Sequence, residues 1–287
     1  MTPPDRLITA CPIGCGGRFV VSSIELPEGG LLCCEHCGQL VSQISESAYR
    51  ASMLAFDSPQ FNLPGARETE RRMGVATRRL TRLCSLLNKQ AGQIRVLDVG
   101  CSRGDFVAAA TMLGFDAEGV EPAPHIAEAA REAGRRVHTG RLEDQHFADG
   151  SLDAVTLFEV IEHLTEPIPL LLEIRRILSP DGMLLLSTGN GASWTAELMQ
   201  ERWDYFQIRV DAGHVSFFNP YSIALLAQRT GFSVADLRTS RVRLLDKGQA
   251  PAPVYLLAKV AAELLNVPAR LMDKGHDMLV YLRRQEA

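Results

Sequence analysis

Residues 96–106, VLDVGCSRGDF, decide how this chain is read. A short apolar run passes into a turn holding Gly100 and Gly104, and the turn opens straight into a helical pattern. A buried strand that feeds a glycine-rich turn and then a helix is where α/β sheets receive nucleotides, because the turn lets backbone amides approach the ligand. A dinucleotide fingerprint would need G-x-G-x-x-G. Here Ser102 stands between the two glycines and Asp98 precedes the first by two residues, so the turn alone does not name its ligand.

Downstream of this turn, short apolar runs alternate with helical patterns, the signature of βαβ units. The runs predict strands at 94–99, 116–120, 135–138, 152–158, 182–188, 232–237 and 278–283, with helices near 104–113, 124–133, 167–178 and 220–230 and an added one near 253–272. The fold class is therefore α/β, a doubly wound, seven-stranded, mainly parallel sheet. Upstream, residues 67–89 place Met73, Ala76, Leu80, Leu83 and Leu87 at spacings of three and four, one apolar helical stripe. The other faces carry Arg71, Arg72, Arg78, Arg79 and Arg82, which read as a solvated face or, more sharply, as a surface for phosphate or an acidic substrate. Residues 56–65, FDSPQFNLPG, have the prolines and turn residues of a linker. The division is a small module at 1–47, a linker at 48–66 and the α/β domain at 67–287, with insertions at about 189–220 and 240–273.

Composition bounds the function. The 287 residues are 46% hydrophobic and 22% charged with a net charge of -4, which excludes a mainly disordered chain and a global polyanion-binding field. No apolar run is long enough for a bilayer span, and the first residues lack a basic and then apolar leader, so a cytoplasmic location is expected. Of seven cysteines, five crowd into 11–37, which fits metal ligation in a reducing compartment better than a disulfide framework. Cys11 and Cys15, then Cys34 and Cys37, stand as two knuckles with glycines after each pair, and four thiolates predict a closed, structural zinc site. Cys33 and His36 are spare donors.

Two further features cooperate with the turn. Residues 119–124, GVEPAP, end a strand with Glu121, about 20 residues after the turn, where a carboxylate can accept from both ribose hydroxyls. Residues 153–164, DAVTLFEVIEHL, end a buried strand in a charged cluster. Together these motifs resemble the class I S-adenosylmethionine-dependent methyltransferases, over roughly residues 80–231. VLDVGCSRG is similar to that family's first motif, VEP to its second acidic motif, and ILSPDGMLLLSTGN to the motif ending its fifth strand. EVIEHL, residues 159–164, points to the branch of ubiquinone-type O-methyltransferases and sugar methyltransferases.

The resemblance implies a Rossmann-like methyltransferase domain. It implies that the backbone from Gly100 through Cys101 and Ser102 to Gly104 and Phe106 wraps the methionine part of the cofactor, with Asp98 supporting its amino group. Glu121, followed by Pro122, would hold the ribose, Leu142 and Glu143 would pack the adenine, and Phe158 with Glu159 would close the site beside the sulfonium. Ser102 departs from the family's middle glycine, and Gly189 stands where the family has proline.

A sulfonium methyl is already activated, so the protein chiefly aligns an acceptor and excludes water. A base helps when the acceptor is a hydroxyl, and His214, His163 and Glu159 are the candidates. Glu159, Glu162 and His163 also resemble the cluster that binds Mg²⁺ in ubiquinone-type enzymes. The aromatics Trp194, Trp203, Tyr205, Phe206, Phe217 and Phe218 read as a lid over an organic acceptor, with simple core packing as the other reading. The added helix, with Leu256, Leu257, Val260, Leu264 and Leu265, reads as packing, a pocket cap or a homodimer face.

The reading is a methyltransferase for a small-molecule acceptor, at a hydroxyl oxygen. A ribosomal-RNA-type base methyltransferase using the ribbon for recognition is the first alternative, and a non-catalytic cofactor-binding scaffold the second. Residues 1–65 hold three basic residues against six acidic ones, a poor footprint for nucleic acid.

Overall fold

A computed structural model of the chain describes residues 6–26, 29–56, 66–206, 208, 213–246 and 248–286. The N-terminal part holds β1 (Phe19–Val21), β2 (Leu32–Cys34), β3 (Leu40–Val41) and α1 (Glu46–Phe56). Then come α2 (Ala66–Leu87), β4 (Arg95–Val99), α3 (Asp105–Met112), β5 (Asp116–Glu121), α4 (Pro124–Glu132), β6 (Val137–Thr139), β7 (Leu152–Phe158), α5 (Pro167–Ile177) and β8 (Leu178–Gly189). The chain ends with α6 (Trp194–Met199), β9 (Ser216–Phe217), α7 (Pro220–Arg229), β10 (Phe232–Ser240), α8 (Ala252–Leu271) and β11 (Asp277–Arg284).

All seven strands predicted for the large sheet are present, in the order β10-β11-β8-β7-β4-β5-β6. From β8 to β6 the pairings are parallel, and β11 lies antiparallel to both its neighbours. The path leaves β4 toward β5 and β6, then returns to β7 on the other side of β4. That reversal opens a crevice at the carboxyl ends of the strands, where α/β sheets bind ligands.

Residues along the central strands alternate between the two faces with period two. Leu97, Val155, Leu157, Leu184 and Leu186 join Leu171, Ile174, Ile223 and Leu226 of α5 and α7 in one core. Val96, Ala154, Met183 and Leu185 join Leu80, Leu83, Val107 and Ala127 of α2, α3 and α4 in the other. The stripe read from residues 67–89 is thus the buried face of α2.

The N-terminal module is built into this architecture. Its strands form a small sheet, β1-β2-β3-β9, whose last member comes from the α/β domain, with Leu40 opposite Phe217 and Val41 opposite Ser216. Ile13, Cys11, Cys34 and Cys37 lie in the core under α5 and α7, and the Asn219 side-chain amide donates to the Cys37 carbonyl at 3.1 Å. Residues 46–56, expected as the module's end and the start of a linker, form α1, whose Tyr49 hydroxyl donates to the His163 carbonyl at 2.8 Å. The rest of the expected linker, 57–65, lies outside the described residues.

Two expectations for the insertions are corrected. Trp203, Phe206 and Phe217 are buried in a core shared with Leu31, Leu32 and Val41, and Phe218 in the core under α5 and α7, so these aromatics are packing and not a lid. On α8, Leu256, Leu257, Val260 and Leu264 are exposed, while Ala262 and Ala269 are the buried positions. None of α8 lines the cavity described below. Among the described residues no helix is long and apolar enough to cross a membrane.

Because Ile13 is fully buried against the catalytic core, Ile13→Ala is expected to cost about 2–5 kcal/mol of the stability of the whole chain. Denaturant unfolding followed by far-ultraviolet circular dichroism checks this: one transition should shift as a unit, whereas an unchanged main transition would mean that the module folds apart.

Candidate active site

The turn after β4 has the backbone that its glycines permit. Gly100 and Gly104 both take φ of +71°, and a side chain at Gly100 would run into Val160 Cγ2 at 2.5 Å. Ser102 also adopts a left-handed conformation, with φ of +50°, so the departure from glycine carries backbone strain. Glu121 offsets it: its buried carboxylate accepts from the Ser102 amide at 2.8 Å and from the Ala123 amide at 2.9 Å. One side chain at the tip of β5 therefore fixes the turns following two adjacent strands.

Around this turn lies a cavity of about 1080 Å³, lined by residues from the carboxyl ends of β4, β7, β8 and β10, the start of β11, α2 and the segment 204–205. Asp98, Gly100, Cys101, Ser102, Phe106, Phe158 and Glu159 line it, as the sequence reading requires of cofactor-facing residues. Gly104 starts α3 behind the turn, with Arg135 against it. Glu121, Pro122, Leu142 and Glu143 are not part of the lining; Leu142 is buried in the core and Glu143 is exposed at the start of a 3-10 turn.

Asp98 is buried and accepts from Thr156 Oγ1 at 2.6 Å on the neighbouring strand. Burial, only partly opposed by that hydrogen bond and by Arg79, pushes its carboxyl up to about 7. The wall beside it is aromatic, with Phe106 and Phe158 edge to face at 5.0 Å and the Arg79 guanidinium 4.2 Å from the centre of the Phe158 ring.

Glu159 sits where β7 ends, in a left-handed conformation with φ of +53°. Its carboxylate accepts from Ser187 Oγ at 2.8 Å and from the Tyr205 hydroxyl. Burial raises the Tyr205 phenol, which keeps it protonated and a donor. Tyr205 reaches this position because residue 189 is glycine: a β-carbon there would lie 2.7 Å from the Tyr205 ring. The departure from the family's proline thus makes room for an aromatic side chain.

Of the three residues read as bases, Glu159 lines the cavity and His163 and His214 do not. His214 is stacked on Tyr205 at 5.3 Å and lies 4.7 Å from the His163 ring. Its Nδ1 donates to the Tyr205 carbonyl at 3.0 Å, since a carbonyl only accepts, and burial lowers its pKa, leaving a neutral ring with a lone pair on Nε2. Glu162 is buried with no hydrogen-bond partner for either oxygen among the described residues, and burial, followed by the charge of Glu159, raises its carboxyl well above the usual range. The donor atoms that lie together are those of Glu162, His163 and His214, so His214 takes the place expected of Glu159. Two imidazoles suit a transition-metal ion better than Mg²⁺.

Sequence reading missed His276. It is buried yet borders the cavity, and its Nδ1 accepts from Trp203 Nε1 at 3.0 Å. An indole nitrogen only donates, so neutral His276 carries its proton on Nε2, which faces Asp204 at 3.5 Å and Asp277 at 3.7 Å. Little in the local sequence marks it, because Trp203 and Asp204 lie more than 70 residues earlier.

The four cysteines of the N-terminal module also converge. Cys11 and Cys37 sulfurs are 3.6 Å apart, Cys15 and Cys34 3.4 Å, and Cys15 and Cys37 3.6 Å. A tetrahedral zinc with Zn–S near ~2.3 Å spaces its sulfurs by about 3.8 Å, so the cluster is compatible with a zinc ribbon. A side chain at Gly17 would meet the Cys34 sulfur at 2.5 Å, which explains the glycine.

Comparison with known proteins agrees with this geometry. A family model described as a methyltransferase domain matches residues 68–237, more than half of the chain, and the chain belongs to that family. The match spans the motifs at residues 96–106, 119–124 and 153–164 that resemble the class I S-adenosylmethionine-dependent methyltransferases. Among curated proteins, the ubiquinone biosynthesis O-methyltransferase of Xanthomonas axonopodis pv. citri (strain 306) is 29% identical over 161 residues, covering 50% of this chain and 64% of that protein. An uncharacterized methyltransferase of Mycobacterium sp. (strain KMS) is 41% identical over 95 residues, covering 32% and 37%. The chain spans less than two-thirds of the length of these relatives. A methyltransferase of this cofactor class from Archaeoglobus fulgidus superposes with a TM-score of 0.53 at 18% identity, covering 74% of this chain and 94% of its own. One from Thermotoga maritima gives 0.50 at 20% identity, covering 82% and 100%. At these identities the likeness of structure is one of fold.

Proposed function

We propose that the protein transfers the methyl group of S-adenosylmethionine to a hydroxyl oxygen of a small organic acceptor. The observation that carries this reading is the cavity in which the Gly100–Ser102 backbone, an aromatic wall and the Glu159 carboxylate face one another. The similarity to proteins named ubiquinone biosynthesis O-methyltransferases favours oxygen over nitrogen. When bound, the cofactor supplies an activated methyl, so that the sulfur–methyl bond breaks as the oxygen–methyl bond forms and the electron pair stays on sulfur.

The protein's part is positioning and proton transfer. Gly100 to Gly104 would wrap the amino-acid portion, with Asp98 toward its ammonium. Glu121, just behind the lining, would hold the ribose with the lone pairs its backbone donors leave over. Phe106 and Phe158 exclude water beside the reacting methyl. Glu159 would take the hydroxyl proton as the new bond forms, held in place by Ser187 and Tyr205. Glu162, His163 and His214 would hold a divalent ion, if one serves, behind Tyr205. Cys11, Cys15, Cys34 and Cys37 would hold a structural zinc with no open position.

Incubation of the purified chain with methyl-labelled S-adenosylmethionine and a cell extract divided into RNA, protein, lipid and low-mass fractions tests the function. Label is expected in the low-mass or lipid fraction; label in RNA that nuclease releases would overturn the reading. Elemental analysis should return one zinc per chain, lost in Cys34→Ser.

Affinity for S-adenosylhomocysteine should depend on pH through Asp98. Its carboxyl titrates near 7, and only the ionised form attracts an ammonium, so affinity should be full above that pH and fall about tenfold per unit below it. Titration calorimetry across pH 5.5–8.5 checks this; a flat profile, or one that Asp98→Asn retains, would remove Asp98 from the site.

A further inference from the structure

The face of α2 that the sequence left open between a solvated surface and a phosphate surface borders the cavity. Nine arginines against five carboxylates line it, in a chain whose net charge is -4. Five of the nine come from α2, and Arg238, Arg241 and Arg243 come from β10 and the segment after it. Asp236 joins the two rows, accepting from Arg82 at 2.9 Å and from Arg238 at 2.8 Å. Arg241 pairs with Asp277, and Arg243 with Asp204 and Asp246.

Arg78 and Arg79 differ from these. Neither has an ion pair among the described residues, although Arg79 is largely buried and its charge rests against the Phe158 ring. Glu159, Asp277 and Asp98 act on the Arg79 charge without pairing with it directly, so the guanidinium keeps donors for an anionic ligand, which would offset part of its cost of burial. One acid of the lining, Asp98, is moreover only partly ionised near neutrality.

We propose that this wall binds the acceptor through a phosphate-like anionic group, with Arg78 and Arg79 as the residues that engage it. The proposal rests on the cofactor reading above and adds the chemical class of the acceptor: a small hydroxylated molecule that carries a phosphate. The cavity, at about 1080 Å³, is of the size that takes small ligands, and the N-terminal module beside the domain is net acidic, so a small anion fits better than an RNA strand.

The test is titration calorimetry on the full chain at constant ionic strength. S-adenosylhomocysteine is titrated first, and its failure to bind would overturn the cofactor reading by itself. Phenyl phosphate and phenol are then titrated, with and without S-adenosylhomocysteine. Phenyl phosphate is expected to bind at least about tenfold more tightly than phenol, the size of one charge-assisted contact. Arg78→Gln, at an exposed and unpaired position that leaves the fold intact, should weaken phenyl phosphate about tenfold and leave S-adenosylhomocysteine unchanged; Arg79→Gln should weaken phenyl phosphate further. Equal binding of phenol and phenyl phosphate, or no effect of Arg78→Gln, overturns the proposal. So does a short single-stranded RNA that binds more tightly than phenyl phosphate and loses that advantage with the same substitution.

Discussion

The structure of the site depends on one buried carboxylate. Glu121 ends β5 with both oxygens engaged by amides of turns that follow two neighbouring strands, at Ser102 and Ala123. A buried carboxylate without donors would be destabilising, and a serine held at positive φ would relax if nothing fixed it. Each requirement answers the other. The turn after β4 is thereby fixed open above the sheet, and the cavity exists because α2, β7 and β10 are arranged around that opening.

A second constraint acts from the far side. The four-cysteine module contributes its inner face to the core under α5 and α7 and gains its fourth strand from residues 216–217. Trp203 and Phe206 pack against Leu31 and Val41 of the module, and this packing sets where Tyr205 lies. With Gly189 giving the ring its space, the Tyr205 hydroxyl reaches Glu159 at the mouth of β7. The module therefore orders the Tyr205 wall of the cavity without lining it.

The seven strands were legible because each holds a short apolar run bounded by turn residues, a local signal that is strongest in β4 and β7, which are buried on both faces. The glycine-rich turn after β4 was legible for the same reason, since Gly100, Gly104 and Asp98 stand within a few residues of one another. What could not be read are features created by contacts between distant segments. The pairing of Leu40 with Phe217 unites two-residue strands that carry no periodicity of their own. His276 owes its role to Trp203 and Asp204, more than 70 residues earlier. His214 read as a candidate base from its place just before the next helix, yet Tyr205 packs over it. The aromatic cluster at 203–218 looked like a lid because its partners in residues 26–44 lie beyond any local window.

The arginine wall also bears on how such a site handles charge. A sulfonium and an ionising hydroxyl carry opposite charges that neutralise one another as the methyl moves, so the reacting centre needs a dry setting more than a strongly charged one. Phe106 and Phe158 would provide that setting, with the Arg79 guanidinium against the Phe158 ring and the other arginines of α2 and β10 along the same wall. Carboxylates near the turn suit a cationic cofactor, and guanidinium groups on the outer wall suit an anionic acceptor. The two ligands would then be drawn to different ends of one cavity by charge alone, and would meet with the methyl between them.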